Sequence, residues 1–142
     1  MAIATTPHLN FDGDARAALD FYAAAFGSEV TAMTYGQMGA SPDPAWAERI
    51  VFGQVETASG IRVMAFDVWP GQPYDQGSNA FYVFLSGDDA DEITAAWQGL
   101  QDGAEVRQPL GPSAWSPLSG QLQDRFGIVW QLDVRVVHDA EG

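Results

Sequence analysis

The 142-residue sequence contains no cysteine and no lysine. Without cysteine it has no disulfide, thiolate metal site or cysteine nucleophile, which suits a reducing compartment, so we expect a cytoplasmic protein. Without lysine it cannot form a Schiff base through a lysine amine. No apolar run approaches the roughly 20 residues of a membrane span, and the N-terminus lacks the basic end and apolar stretch of a signal peptide. We therefore expect no membrane partner.

Positive charge is scarce. Six arginines stand against 19 carboxylates, which gives a formal net charge of −13. Binding to nucleic acid requires a basic patch, so we expect no nucleic-acid partner. The acidity either keeps the protein soluble or attracts a cationic small molecule, and composition leaves both open. With 46% hydrophobic residues the chain has a globular composition, and its length predicts a single domain over residues 1–142.

Two segments of the chain repeat one another. Residues 53–61 read GQVETASGI and residues 120–128 read GQLQDRFGI, with Gly, Gln, Gly and Ile at the same spacing. In both, an apolar run, a turn with glycine and a second apolar run follow in order, which predicts a β-hairpin. The sequence therefore indicates a duplicated unit.

The helices repeat as well. Helical spacing of apolar residues predicts one helix that starts at Asp12 or Asp14 and ends at Phe26. A second helix is predicted to begin at Asp88 or Asp89. If the two helices are aligned at their ends, Phe21 falls where Trp97 falls.

A strand is predicted before each helix, over residues 6–11 and 80–86. Alternation gives each strand two faces. The residues expected to face the helices are Leu9, Phe11, Val83 and Leu85. The residues expected on the opposite faces are Thr6, His8, Asn10, Ala80, Tyr82 and Phe84.

Each half is therefore predicted to be a βαβββ module, the first over residues 5–68 and the second over residues 79–135. The fold class is α+β, with the two tandem modules forming a curved, cup-shaped mixed sheet and the helices outside. Aromatic residues in the long connections, Trp46 and Trp115 among them, are expected either to cover the mouth of the cup or to close core edges or a dimer contact.

Five further segments carry a family resemblance: residues 7–13 (PHLNFDG), 18–27 (ALDFYAAAFG), 88–93 (DDADEI), 109–112 (PLGP) and 124–132 (DRFGIVWQL). With them the chain resembles the vicinal oxygen chelate (glyoxalase/bleomycin resistance protein/dioxygenase) superfamily, and within it the PhnB-like (3-demethylubiquinone methyltransferase-like) branch. The resemblance implies a homodimer but not a reaction, because the superfamily hosts many chemistries. The methyltransferase label is not read as an activity, since no glycine-rich nucleotide loop follows a strand.

The same resemblance implies where a metal would bind in metal-using relatives. The corresponding positions are Thr6, Met64, Ala80 and Gln131. Thr, Ala and Met are not credible ligands and Gln is a weak one, so we expect no metal and no cofactor. The chain has only two histidines, His8 and His138. A site of His8 with carboxylates such as Asp133 stays open if the strand register differs by one or two residues.

His8 is the candidate for acid–base catalysis, because a histidine on a cavity wall titrates near neutrality. The alternative is a hydrogen-bonded histidine of the sheet. The expected ligand-binding residues are Asn10, Tyr82, Phe84, Gln131, Trp46 and Trp115. Trp130 alternates with Gln131 and is expected in the core.

The sequence thus favours a metal-independent small-molecule binding protein of the glyoxalase/bleomycin-resistance type. Its ligand would be organic, with cationic or aromatic character, held in the cup for sequestration or sensing. The alternative is a lyase, isomerase or dioxygenase of the same superfamily, which would use a divalent metal near His8 or His8 alone as a general base. A third possibility is a structural or regulatory dimer with a filled cup.

Overall fold

The computed structural model of the chain describes residues 3–39 and 44–136. Within these residues the chain forms two compact units, one up to Ser78 and the other from Asn79 onward. His138 lies outside the described residues. None of the helices in the described part is both long enough and apolar enough to cross a membrane.

The first unit is a four-stranded mixed sheet with one long helix. Its elements are β1 (His8–Phe11), α1 (Ala15–Phe26), β2 (Val30–Thr34), α2 (Tyr35–Met38), a 3-10 turn (Pro44–Trp46), β3 (Ile50–Glu56) and β4 (Arg62–Asp67). The strand order is β1-β4-β3-β2, with β1 parallel to β4 and the other pairs antiparallel.

The second unit repeats this topology. Its elements are β5 (Val83–Gly87), α3 (Ala90–Gln101), β6 (Glu105–Gly111), β7 (Ser119–Gln123) and β8 (Val129–Val134). The order is β5-β8-β7-β6, with β5 parallel to β8. The predicted α+β class, with two mixed sheets in βαβββ order, is confirmed.

Each core lies between the sheet and its helix. The residues predicted to face the helices, Leu9, Phe11, Val83 and Leu85, are buried, as is Trp130. In each unit a glycine of the third strand lets the helix approach. A Cβ on Gly53 would meet the side chain of Leu19, and one on Gly120 would meet Trp97. Leu19, rather than the half-exposed Phe21, is therefore the counterpart of Trp97.

The start of α1 is capped from a distant part of the unit. Asp14, one of the two predicted caps, makes no side-chain hydrogen bond to the helix. Instead Oδ1 of the buried Asp67 accepts the N–H groups of Gly13 at 2.6 Å and Ala15 at 3.1 Å. Its Oδ2 accepts the N–H of Ile50 at 2.9 Å. Asp14 is thus the N-cap residue, as one of the two predictions had it, but the side-chain hydrogen bonds at the start of the helix come from Asp67.

The start of α3 follows the prediction. The side chain of Asp89 accepts the backbone N–H of Asp91 at 2.8 Å. Asp91 and Glu92 add negative charge in the first turn, which complements the helix dipole.

The first strand of each unit is shorter than predicted. Strand β1 starts at His8, because Pro7 has no N–H to donate to the ladder. Strand β5 starts at Val83, a few residues after Asn79, which has a left-handed φ of 58°. Met64 lies opposite His8, and Gln131 lies opposite Phe84.

Candidate functional site

The second sheet packs one face on α3, and its other face, away from the helix, carries exposed aromatic rings. We call it the second open face and define it by Tyr82, Phe84, Ser119, Gln121, Gln131 and Asp133. Phe84 is 60% exposed and Tyr82 43% exposed, on or next to strand β5. Trp115, from the connection before β7, is 61% exposed and is hydrogen-bonded to Asp133. Three of the predicted ligand-binding aromatics therefore belong to one unit and one surface.

A buried carboxylate organises the polar part of this face. Asp133, only 5% exposed, accepts the indole N–H of Trp115 through Oδ2 at 2.8 Å. Its Oδ1 accepts the hydroxyl of Ser119 at 2.8 Å and Nε2 of Gln131 at 2.9 Å. Since a carboxylate only accepts, each of these partners is held as a donor in a fixed orientation.

The hydrogen bonds continue from Asp133 through the side-chain amides of two glutamines. Gln121 lies directly opposite Gln131 across β7 and β8 and donates from Nε2 to Oε1 of Gln131 at 3.0 Å. Gln131, predicted as a ligand-binding residue, thus stands between the buried carboxylate and a second glutamine.

Tyr82 is held at its hydroxyl end. Asn79 accepts the Tyr82 hydroxyl at 3.1 Å and a guanidinium N–H of Arg107 at 2.7 Å. The Arg107 guanidinium carbon lies 6.0 Å from the centroid of the Tyr82 ring. These contacts position the aromatic ring at the border of the second open face.

His8 and Asn10 lie together on the corresponding face of the first sheet. His8 Nδ1 is 2.8 Å from Oδ1 of Asn10, and the imidazole packs edge-on against Phe66 with centroids 4.8 Å apart. An amide oxygen can only accept, so Nδ1 carries the proton in the neutral ring. Nε2 is left as the basic nitrogen.

Trp46 has different surroundings. Its ring packs edge-on against Tyr35 at 5.7 Å, and the guanidinium of Arg49 covers it at 4.0 Å. Arg49 in turn pairs at 2.7 Å with Asp12, the other predicted helix cap. Tyr35 itself is fully buried and belongs to the core. One face of the Trp46 ring is therefore covered by the guanidinium of Arg49.

The residues at the superfamily's metal positions do not fit a divalent cation. The positions that the resemblance implies are Thr6, Met64, Ala80 and Gln131, and the strand pairing places His8 opposite Met64 and Phe84 opposite Gln131. Among these side chains only the imidazole of His8 and the amide of Gln131 are plausible metal ligands. Among the described residues, no group of three His, Asp or Glu side chains is placed to hold a metal ion.

Sequence reasoning missed part of the second open face. Ser119 and Gln121 did not stand out, and Asp133 was considered only as a metal ligand. The available signal was alternation: polar residues at 119, 121 and 123 interleave with Gly120 and Leu122, which face the helix. A strand with this pattern has a polar face as specific as its apolar one.

Comparisons with known proteins place this geometry in a family. A model of the Glyoxalase/Bleomycin resistance protein/Dioxygenase superfamily matches residues 6–132. Protein PA1353 from Pseudomonas aeruginosa is 31% identical, over 94% of this chain and 98% of that chain, with a TM-score of 0.77. No curated protein matches the chain in sequence.

Two further solved structures share the fold. The PhnB protein from Bacillus cereus is 24% identical over 94% of this chain and 100% of that chain, with a TM-score of 0.72. A glyoxylase/bleomycin resistance protein/dioxygenase domain from Frankia sp. EAN1pec is 10% identical over 96% and 99%, with a TM-score of 0.65.

Proposed function

Because the chain belongs to the Glyoxalase/Bleomycin resistance protein/Dioxygenase superfamily, we propose that it is a metal-independent small-molecule binding protein. The ligand is a planar organic molecule that lies on the second open face. The observation that carries this proposal is the exposure of Phe84 and Trp115 beside a polar network that is anchored by one buried carboxylate.

Aromatic surface beside a few oriented polar groups is the usual composition of a ligand site. Flat rings bury much ligand area at low entropic cost, and the polar groups set the ligand's orientation. Since Asp133 holds Trp115, Ser119 and Gln131, little ordering remains to be paid for when a ligand arrives. The acidity of the chain supports a ligand with cationic character, because the net charge of −13 attracts cations at long range.

A second candidate function rests on His8. Asn10 fixes the imidazole with Nε2 as the basic nitrogen, which is the state that a general base needs. The corresponding activity is a lyase or isomerase reaction that begins with proton abstraction by Nε2. His8→Gln would abolish such turnover while leaving ligand binding to the second open face unchanged.

Assembly and location complete the proposal. We place the protein in the cytoplasm, which its lack of cysteine supports, and we propose a homodimer on the family resemblance. Analytical ultracentrifugation across a concentration series tests the dimer, and a sedimentation coefficient that stays at the monomer value would exclude it.

The binding proposal is tested by calorimetric titration of a panel of planar aromatic compounds, cationic and neutral, against wild-type protein and Phe84→Ala. Removal of a ring that contacts the ligand should weaken binding about 2- to 12-fold, because an aromatic pair contributes about 0.5–1.5 kcal/mol beyond area burial.

Phe81→Ala is the matched control. Phe81 is similarly exposed, at 58%, but it precedes strand β5 and is not one of the residues that define the second open face. Equal losses in both variants, or a panel in which nothing binds the wild type, would refute the proposal.

A further inference from the structure

Two glutamines at equivalent positions of the repeat, Gln54 and Gln121, differ in the hydrogen-bond partner of the side-chain amide oxygen. Gln54 and Gln121 both follow a glycine in the third strand of their unit. Gln54 lies opposite Met64, and Gln121 lies opposite Gln131. The Oε1 of Gln54 accepts a guanidinium N–H of Arg62 at 3.1 Å. Oε1 of Gln121 has no hydrogen-bond partner among residues 3–39 and 44–136.

The direction of the hydrogen-bond chain that ends at Gln121 is fixed at its buried end. Asp133 accepts only, so Gln131 must present Nε2 to it. The Oε1 of Gln131 therefore points to Gln121, which must donate from its own Nε2. Reversal of either amide would set two acceptors or two donors against each other. Both hydrogen bonds are therefore donated in the direction of Asp133.

The amide oxygen of Gln121, at the end of these hydrogen bonds farthest from Asp133, is an acceptor without a donor in the described part of the chain. Every buried side-chain N or O atom of the described residues has a partner, so the unpartnered Oε1 of Gln121 is accessible. It lies on the second open face, on the strand next to Gln131, which is itself opposite Phe84. An accessible acceptor near an exposed ring suits a ligand that has a donor on its edge.

We propose that Gln121 is a specificity-determining residue of the second open face and selects planar ligands that carry an N–H or O–H donor on the ring edge. Asp133 is the positioning residue that makes Gln121 an acceptor. This inference rests on the proposed binding function. In the first unit the equivalent carbonyl is taken by Arg62, so selection of donors belongs to the second unit alone.

The test compares ligands in which a hydrogen-bond donor on the ring edge is either present or replaced by a methylated atom. Indole is titrated against 3-methylindole, which keeps the N–H, and 1-methylindole, which lacks it. 7-Hydroxycoumarin and 7-methoxycoumarin form a second pair. The donor-bearing members should bind about 3- to 10-fold more tightly than their N- or O-methylated partners, the range expected for one net hydrogen bond.

Variants separate the role of Gln121 from a general effect on the sheet. Gln121→Leu should bring the ratio of the affinities for 3-methylindole and 1-methylindole close to one. Gln54→Leu is the control, since it alters the same residue type at the same repeat position. Asp133→Asn should shrink the preference, because an amide at position 133 no longer fixes the direction of the chain.

A readout in the unmodified protein guards against variants that fold poorly. In ¹⁵N-labelled wild type, indole should shift the side-chain NH₂ signals of Gln121 and leave those of Gln54 in place. Equal binding of methylated and unmethylated probes, with no shift at Gln121, overturns the inference and leaves the binding function intact. Failure of every probe to bind the wild type overturns both the inference and the binding function.

Discussion

The carboxylate of Asp67, the last residue of β4, accepts the backbone N–H of Ala15, the first residue of α1, at 3.1 Å. The same side chain binds the N–H groups of Gly13 and Ile50. One buried side chain therefore joins the helix start to two strands of the first unit. Hydrogen bonds of this kind are expensive to leave unmade in the interior.

Asp67→Asn should destabilise the protein by about 1–3 kcal/mol, because the amide has one oxygen and leaves at least one buried N–H without an acceptor. The free energy of unfolding from urea titration measures the effect. Asp20→Asn is the control, since Asp20 is exposed in a pair with Arg16 and should change stability by less than about 0.5 kcal/mol. Equal effects of the two substitutions would show that the buried contacts contribute nothing.

Gly120→Ala should also destabilise, by about 1–3 kcal/mol, through overpacking. The new Cβ would lie 2.8 Å from the Trp97 ring and 3.1 Å from the backbone of Leu110. Gly111→Ala introduces the same methyl group where no atom lies within 4 Å, and it should leave the unfolding midpoint nearly unchanged. A stable Gly120→Ala protein would mean that α3 can move away from the sheet at little cost.

Alkaline pH should lower the stability through Tyr35. Burial, and next the charge of Asp67, raise the pKa of Tyr35 above 10.0, while Arg49 opposes the shift. A raised folded-state pKa gives a contribution that is complete below pH 10.0 and is lost as pH rises through the folded value. Since the chain has no lysine, tyrosines dominate titration in this range.

Tyr35→Phe should therefore show a shallower fall of unfolding free energy above pH 10.0 than the wild type. Tyr74, whose pKa is raised by burial and then by nearby carboxylates, keeps part of the fall in both proteins. Near neutral pH the variant should lose about 0.5–1.5 kcal/mol with the hydrogen bond from the Tyr35 hydroxyl to the carbonyl of Asp67. Parallel pH curves for the two proteins would contradict this account.

Divalent metals should leave thermal unfolding unchanged. The positions that the resemblance implies for metal ligands are occupied by Thr6, Met64, Ala80 and Gln131, none of which is a strong ligand for a divalent cation. A metal that binds only the native state would have to raise the midpoint. EDTA-treated protein is heated with Mn, Fe(II), Co, Ni or Zn in modest excess. A saturable rise with one metal, lost in His8→Ala, would contradict the metal-independent proposal and favour the second candidate function.

The fold was predictable because apolar periodicity and the internal repeat are local signals. Leu9 and Phe11 alternate along a strand and are buried as expected, and Gly53 and Gly120 mark the two hairpins. What failed depends on contacts between distant residues. The carboxylate that accepts N–H groups at the start of α1 belongs to Asp67, which no pattern around residue 14 reveals.

The candidate site was predictable only in part for the same reason. Phe84 and Tyr82 were found from alternation on one strand, and Gln131 from its match to Met64 across the repeat. The connection from Gln131 to Asp133, Ser119 and Trp115 joins two strands and a loop, so it exists only after the sheet has formed.

The triple contact of Asp67 has a consequence for how the first unit opens. The amides of Gly13, Ala15 and Ile50 come from a turn, a helix and a strand, yet one carboxylate holds them all. In amide hydrogen exchange they should therefore behave as one cooperative group, with a common free energy of opening. Gly13, in an exposed turn, would then exchange as slowly as the core, and the turn, helix and strand would open as one foldon.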